Sequence, residues 1–317
     1  MTTKSYSSSN SKISDGDMMR NLARKGRVNV VSESYRSFSA GKSNITGNEE
    51  RLFLCECYDY KQKELIQSPL NYTGGKYKLL PQILPHFPQD IDRFVDLFCG
   101  GGNVGINVPC NRVIFNDNNE LLRYMFGTVK NLDKQVTFET IDAIIEKYGL
   151  SNTEKYGYDF YGCNSAEGLA TYNSSRYLKL RDDFNHHTNL EYNYYVTLYV
   201  LIVYAFNNQI RFNRKGEFNL PVGKRDFNKK MREKLSTFID RLKSGDYSFA
   251  SHDFRELPTD DWNENTFVYA DPPYLITCAT YNEQDGWNET LEQKLLTYLN
   301  NLNERGIRYP LSNVLHS

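Results

Sequence analysis

Four residues, Asp271-Pro272-Pro273-Tyr274, concentrate the most reactive chemistry in the chain. They follow an apolar run, Thr266-Phe267-Val268-Tyr269-Ala270, whose length and β-branched and aromatic content predict a buried strand. Proline donates no N–H and fixes φ, so a Pro-Pro pair at the end of a strand makes a stiff backbone with free carbonyls. A carboxylate, a free carbonyl and an aromatic face held together can grip a planar amine. The plain alternative is a Pro-Pro turn that closes a strand, and these four residues alone do not choose between the two.

Two upstream stretches would have to position and supply such a grip. Ser68-Pro69-Leu70-Asn71-Tyr72-Thr73-Gly74-Gly75-Lys76 places two glycines and a cation before Tyr77 to Leu84, which reads as a helix. Such a loop can hold a carboxylate or phosphate at a helix start, although the P-loop spacing is absent. Arg93-Phe94-Val95-Asp96-Leu97-Phe98 reads as a strand, and Gly100, Gly102 and Gly105 then match G-x-G-x-x-G. Arg112-Val113-Ile114-Phe115 gives a second strand, and Asp117 lies at its tip, seventeen residues after Gly100. Residues 93–120 are therefore expected to form a strand–Gly turn–helix–strand–acid unit, half of a doubly wound sheet. A dinucleotide and S-adenosylmethionine both offer Asp117 a ribose diol. Only the second has an amino-acid tail that needs charge partners, and the lysine loop with Asp96 fits that tail.

Composition bounds the rest. A chain of 317 residues with 39% hydrophobic and 24% charged residues suits a globular protein of one large domain or two smaller ones. No apolar run reaches membrane-span length and the N-terminus carries no signal-peptide core. The six cysteines form no paired CxxC set, so neither zinc nor a disulfide framework is expected, and a reducing, cytoplasmic compartment is the natural one. Eleven of the first fifty residues are serine, and residues 1–64 read as a flexible extension.

The net charge of −1 hides an asymmetry. Residues 209–245 hold eleven Lys/Arg against four Asp/Glu, a net +7, which leaves −8 for the remainder. Within them Lys215-Gly216 forms a plausible hairpin tip flanked by Arg211-Phe212-Asn213 and Glu217-Phe218-Asn219. Amide and guanidinium side chains read base edges, lysine and arginine neutralise phosphates, and a basic hairpin fits the major groove. The local excess favours a nucleic acid over a merely polar surface hairpin. Upstream, Tyr192 to Phe206 is apolar enough for a buried helix of about four turns. Ser251-His252-Asp253-Phe254 could hydrogen-bond and stack on an adenine, or could be a capping acid with a core phenylalanine. Leu291, Leu295, Leu296, Leu299 and Leu302 give Glu289 to Arg305 a helical core stripe, and Ile307 to Asn313 reads as the next strand.

Tyr72-Thr73-Gly74-Gly75-Lys76, Asp96-Leu97-Phe98-Cys99-Gly100-Gly101-Gly102 and Asp271-Pro272-Pro273-Tyr274 occur in the order and spacing of the Dam-type (D12 class, alpha group) DNA adenine-N6 methyltransferases, which the chain resembles over roughly 65–317. Asn207 to Gly223, with its R-[FY]-N-x-x-G-x-F-N-x-P-x-G form, is similar to the target-recognition hairpin of the GATC-specific branch. The resemblance implies a Rossmann-like methyltransferase sheet from 65–130 and 250–317, with a mainly helical recognition domain at 131–249 bearing the basic β-hairpin. It implies Tyr72, Gly75, Lys76, Asp96, Phe98, Gly100, Gly102, Asp117, Asp253, Phe254 and Asp271 around S-adenosylmethionine. Asp271 and the Pro272 carbonyl would take the N6 protons of an extruded adenine, and Tyr274 would stack on it. Double-stranded DNA would meet Gln209, Arg211, Asn213, Arg214, Lys215, Asn219, Pro221, Lys224 and Arg225, with Arg211 as the base-reading arginine. A cognate restriction endonuclease is a candidate partner in the same system. Two features depart from the family: its members carry further strands past the Ser312-Asn313 position, and Pro310 falls inside an expected central strand. A sheet incomplete at Ser317 would make the chain a DNA-binding remnant that no longer methylates. A dinucleotide-dependent oxidoreductase is the other alternative, but it leaves the Asp-Pro-Pro-Tyr stretch and the hairpin unexplained.

Overall fold

The computed structural model describes residues 65–72, 74–163, 166–187, 192–274 and 287–312; the N-terminal extension expected at 1–64 lies outside them. Four short strands, β1 (Arg93–Asp96), β2 (Arg112–Asn116), β3 (Asp246–Ala250) and β4 (Thr266–Tyr269), pair in parallel in the order β3-β2-β1-β4. Their register aligns Asp96 with Phe115 on one side and with Tyr269 on the other, so β1, β2 and β4 end level. Both faces of a parallel sheet are covered, and side chains alternate between them. Phe94, Val113, Phe115, Phe267 and Tyr269 point into the larger core, whereas Val95, Val268 and Ala270 point into a smaller one.

The expected fold class is therefore the one observed, a parallel α/β sheet of the Rossmann-like type. The smaller core is sealed by α8 (Glu289–Glu304), whose Leu295, Leu299 and Leu302 form the predicted stripe. The chain then returns beside β4. Val268 N donates to Arg308 O, Ala270 N to Pro310 O and Ser312 N to Ala270 O, at 3.0, 3.1 and 2.8 Å. The expected strand at 307–313 is thus a run of separate parallel bridges, because Pro310 has no N–H to supply the rung between them. Pro310 does not prevent the pairing; it removes one bond from it.

Among the described residues, six of the seven earlier helices bury side chains in the larger core. After α1 (Leu80–Ile83), a short piece between 3-10 turns where one helix is expected from Tyr77, come α2 (Glu120–Asn131), α3 (Lys134–Tyr148), α4 (Thr153–Tyr156), α5 (Ala170–Asn185), α6 (Tyr192–Tyr204) and α7 (Lys229–Ser244). The apolar stretch predicted as a buried helix is α6, and it packs on α2, α3 and α5. Helix α7 lies against α2 and β3 and leads into β3 at Asp246, four residues before the expected boundary at 250. Sheet and inserted helices share one apolar core, from Phe94 and Phe115 through Ile141 and Tyr177 to Leu198.

One expectation is corrected. The Gly-rich turn does not open a full helix: between β1 and β2 there is only a 3-10 turn, Gly105–Asn107, because the chain meets Pro109 and starts β2 at Arg112. That turn is tight. A Cβ added at Gly105 would lie 2.5 Å from Cε1 of Phe115, in the middle of the core. Gly105→Ala should therefore destabilise the fold by about 1–3 kcal/mol, as overpacked cores do. Denaturant titration checks this, and an unchanged midpoint would contradict the close approach.

Candidate active site

The level ends of β1, β2 and β4 gather three acids in one place. Asp96 is the last residue of β1, Asp117 follows β2, and Asp271 follows β4 after Ala270. Asp96 is 2% exposed, and its Oδ2 accepts from Gly105 N at 3.0 Å. Burial pushes its carboxyl up to about 7; the Gly105 N–H pulls the other way, while Asp271 and Asp117 add to the rise. Asp117 is also raised by burial, although Gly100 N and Asn119 N each donate to it at 3.0 Å.

Lys76 enters this acidic cluster from the lysine loop. Its Nζ stands 2.5 Å from Asp271 Oδ2, 3.0 Å from Gly74 O and 5.2 Å from the centre of the Tyr274 ring. The other carboxylate oxygen, Asp271 Oδ1, accepts from the Tyr274 hydroxyl at 2.7 Å. Burial raises the Asp271 carboxyl and Lys76 opposes that rise. Lysine and acid are both largely buried, so this ion pair is only weakly screened by water. Pro272 is buried and Pro273 exposed.

The loop is anchored by asparagines. Asn103 Oδ1 accepts from Ser68 N at 3.0 Å, and Asn107 holds Ile66 through both its amide atoms at 2.8 Å. Tyr72 packs its ring on Gly100, where φ is +47° and an added Cβ would lie 2.7 Å from the ring. The neighbouring Asp117 charge, more than burial, pushes the Tyr72 phenol up. Gly75 N donates to Tyr72 O at 3.0 Å, and Gly102 takes φ +73°. Beside them Phe98 packs on Phe254 with ring centres 5.7 Å apart, and edge-on to Trp287 at the same distance.

Tyr72, Gly75, Lys76, Asp96, Phe98, Gly100, Gly102, Asp117, Asp271 and Tyr274 are thus brought together. Asp253 and Phe254 sit at the margin. Phe254 is 4% exposed within an aromatic cluster, and both Asp253 oxygens accept from the Arg255 guanidinium at 2.7 and 2.6 Å, which lowers the Asp253 carboxyl. Sequence reasoning missed Asn116, whose amide donates to Leu97 O and His252 O at 3.1 and 3.0 Å and accepts from His252 N at 3.0 Å. It staples β1 to the loop that bears Asp253; a polar residue ending an apolar strand was its signal.

The hairpin forms where expected, with antiparallel bridges Ala205–Val222 and Phe212–Phe218. Arg211 lies exposed, its Nε donating to Asn219 Oδ1 at 2.8 Å across the hairpin. Asn213 builds the tip: its Oδ1 accepts from Lys215 N and Glu217 N at 2.9 and 3.0 Å, and Gly216 takes φ +77°. Arg214, Lys215, Pro221, Lys224 and Arg225 are exposed, Gln209 half-buried. Asn71 Nδ2 donates to Asn207 O at 2.7 Å, which ties the lysine loop to the hairpin's root.

The buried acids have a measurable consequence. Asp96 titrates higher in the folded chain than in the unfolded one, so the folded state holds the extra proton between about pH 4 and about pH 7. Its contribution to stability is lost as pH rises through that window, and Asp117 and Asp271 act in the same direction. Asp96→Asn removes this titration. Relative to the parent, the variant's melting temperature should rise between about pH 4 and about pH 7 in parallel thermal melts; a flat or falling difference across that window contradicts the buried charge.

Comparison with known proteins agrees with this geometry. A family model described as D12 class N6 adenine-specific DNA methyltransferase matches residues 72–317. Modification methylase StsI of Streptococcus sanguinis is 40% identical over 258 residues, 80% of this chain and 36% of that protein. Type II methyltransferase M.FokI of Planomicrobium okeanokoites is 38% identical over 262 residues, 81% of this chain and 37% of that protein. The DNA adenine methylase of Escherichia coli K12 is 29% identical over 213 residues, 67% of this chain and 66% of that protein. The chain spans little more than a third of the length of the first two relatives. With its family match over most of the chain, a parallel sheet and an acid-Pro-Pro-Tyr grip at the end of β4, this chain belongs to the D12 class N6 adenine-specific DNA methyltransferases.

Proposed function

We propose that this chain transfers a methyl group to N6 of adenine in double-stranded DNA, as the modification enzyme of a restriction-modification system. The observation that carries the reading is the Asp271–Tyr274 unit, buried beside Lys76 at the end of β4. Members of the family take the methyl from S-adenosylmethionine, and the donor set here fits it. A cluster of Asp96, Asp117 and Asp271 that pushes carboxyl groups upward is short of positive charge, and that cofactor brings an ammonium and a sulfonium. Asp96 would hold the ammonium of its tail, and Asp117, with Tyr72 above Gly100, its ribose. When bound, the cofactor supplies an already activated methyl group.

The residues of the chain supply orientation. The N6 lone pair of adenine is delocalised into the ring, which makes the amine a poor nucleophile. A carboxylate oxygen and the Pro272 carbonyl, each accepting one N6 proton, draw that nitrogen toward tetrahedral geometry. Asp271 must be ionised to do this; burial raises its carboxyl, and the Lys76 ammonium 2.5 Å away opposes that rise. Lys76 thereby serves the grip directly, in addition to or in place of the cofactor tail. The Tyr274 hydroxyl occupies one Asp271 oxygen, so a base entering the site must take over that bond. The ring of Tyr274 then offsets part of the stacking that the extruded base gives up.

The target sequence we propose is GATC, on the likeness of residues 207–223 to the hairpin of that branch. The exposed Arg211, held flat by Asn219, is the side chain best suited to a bidentate contact with a guanine. Labelled S-adenosylmethionine incubated with duplexes that contain or lack GATC tests both parts. Label confined to GATC duplexes is expected. Equal label on both, or label on another adenine context, overturns the sequence and leaves the chemistry standing. Asp271→Ala should reduce transfer at least about 100-fold while cofactor affinity stays within a small factor, measured by calorimetry. Retained turnover would remove Asp271 from the mechanism.

A further inference from the structure

The two tryptophans of the chain differ in what they face. Trp262 is 7% exposed and lies within the smaller core. Trp287, the residue before the Asn288 that caps α8, is half-buried and packs on the aromatic pair beside the acids. Its ring meets Phe98 edge-on at 5.7 Å and Phe254 at 6.0 Å, and Phe98 and Phe254 are themselves 5.7 Å apart. Three segments supply these rings: the end of β1 just past Asp96, the loop of Asp253, and the approach to α8. Tyr298 of α8 backs Phe254 edge-on at 5.8 Å. Phe254 is buried by this packing, whereas Phe98 and Trp287 keep accessible surface.

A buried acid holds the indole. Trp287 Nε1 donates to Glu292 Oε2 at 2.6 Å, and Glu292 is 7% exposed. Among the described residues, Glu292 forms no ion pair. Burying a carboxylate is costly unless hydrogen bonds replace its water. The amino end of α8 offsets part of that cost, since Glu292 lies in its first turn. The position is otherwise a core one: Leu295 and Leu299 follow on the same face of the helix and are fully buried. An aliphatic side chain would fill it without the penalty. What the carboxylate adds is a bond that fixes the plane of the indole against Phe98.

We infer that Trp287 is a further cofactor-binding residue, its indole oriented by Glu292 to meet the adenine ring of S-adenosylmethionine beside Phe98. The inference rests on the methyltransferase reading above, in which Asp96 takes the cofactor's tail and Asp117 its ribose, and it adds two residues to that site. The ribose carries a flat purine, the part of the cofactor that gains by meeting aromatic rings and not charge. Of the three rings, Phe98 and Trp287 retain surface to offer it. Glu292 is a positioning residue, since it acts through the indole. The groups that face the target amine are those of Asp271, Pro272 and Tyr274, so Trp287 and Glu292 govern how tightly the cofactor is held and not the transfer of its methyl.

The test uses the protein's own fluorescence. S-adenosylhomocysteine, the demethylated cofactor, is titrated into the parent, Trp262→Phe and Trp287→Phe proteins, and calorimetry measures its affinity for each. Trp262→Phe, in which Trp287 is the sole tryptophan, should keep the emission change, and Trp287→Phe should lose it. Trp287→Ala should weaken the ligand about 10-fold, the scale of one base–aromatic contact, with the loss in the KM for the cofactor and not in kcat. Glu292→Leu should weaken it in the same sense, and Glu292→Gln, which keeps an acceptor for the indole N–H, should restore the parent affinity. The fluorescence arm needs no truncated side chain, so it decides even where Trp287→Ala does not fold. A merely structural role lowers the melting temperature of the variants and leaves affinity and emission response as in the parent. That result overturns the inference, as does Trp287 emission that answers to duplex DNA but not to S-adenosylhomocysteine. A parent that binds no S-adenosylhomocysteine overturns the cofactor assignment of the methyltransferase reading, and Trp287 with it.

Discussion

Everything in the site depends on negative charge held out of water. Three strands ending level place Asp96, Asp117 and Asp271 side by side, where burial works against the ionised form of each. A protein does not keep such an arrangement for stability, since unpaired buried carboxylates weaken the fold at neutral pH. Lys76 relieves part of it through Asp271, and backbone N–H groups of the Gly-rich turn relieve part at Asp96 and Asp117. What remains is a preference for a cationic ligand. The same field would favour a sulfonium, and under the proposed mechanism Lys76 supports the ionised form of Asp271.

The second constraint is mechanical. The lysine loop, the Gly-rich turn and the hairpin come from distant parts of the chain, and they are joined through asparagine side chains. Asn103 and Asn107 bind the loop to the turn, Asn116 binds β1 to the Asp253 loop, and Asn71 reaches the backbone of Asn207. Asn207 and Asn208 both adopt positive φ, 56° and 54°, a conformation that asparagine tolerates better than most residues. The hairpin's root is thereby set against the loop that carries Lys76, so the segment proposed to meet DNA and the segment that meets Asp271 share a hydrogen-bonded frame.

Much of this was legible in the sequence because it repeats simple patterns. The apolar run before Asp271 became β4, the leucine stripe became α8, and Lys215-Gly216 became the tip of a hairpin. What was not legible depended on pairings across the chain. Lys76 was read with the cofactor's tail; the structure in addition sets it against Asp271, a residue 195 positions away that no local pattern links to it. Asn213 was read as a DNA contact, and the structure shows a further use for it, since its side-chain oxygen builds the hairpin turn. Asp253 is gripped by Arg255, two residues on, an interaction that spacing alone does not distinguish from a free carboxylate. The helix expected after the Gly-rich turn had no room, with Pro109 and β2 following so soon. Pro310 was read as an obstacle to pairing, yet a proline's carbonyl still accepts.

The central claim is that the Asp271-Pro272-Pro273-Tyr274 grip acts on the exocyclic amine of adenine. A grip for a planar amine would accept cytosine N4 by the same chemistry, so the product decides. Duplex DNA treated with the protein and S-adenosylmethionine, digested to nucleosides and analysed by mass spectrometry, should contain N6-methyladenine as its new base, and Asp271→Ala should yield none. Methyl groups on cytosine, or N6-methyladenine formed equally by the Asp271→Ala variant, would contradict the account.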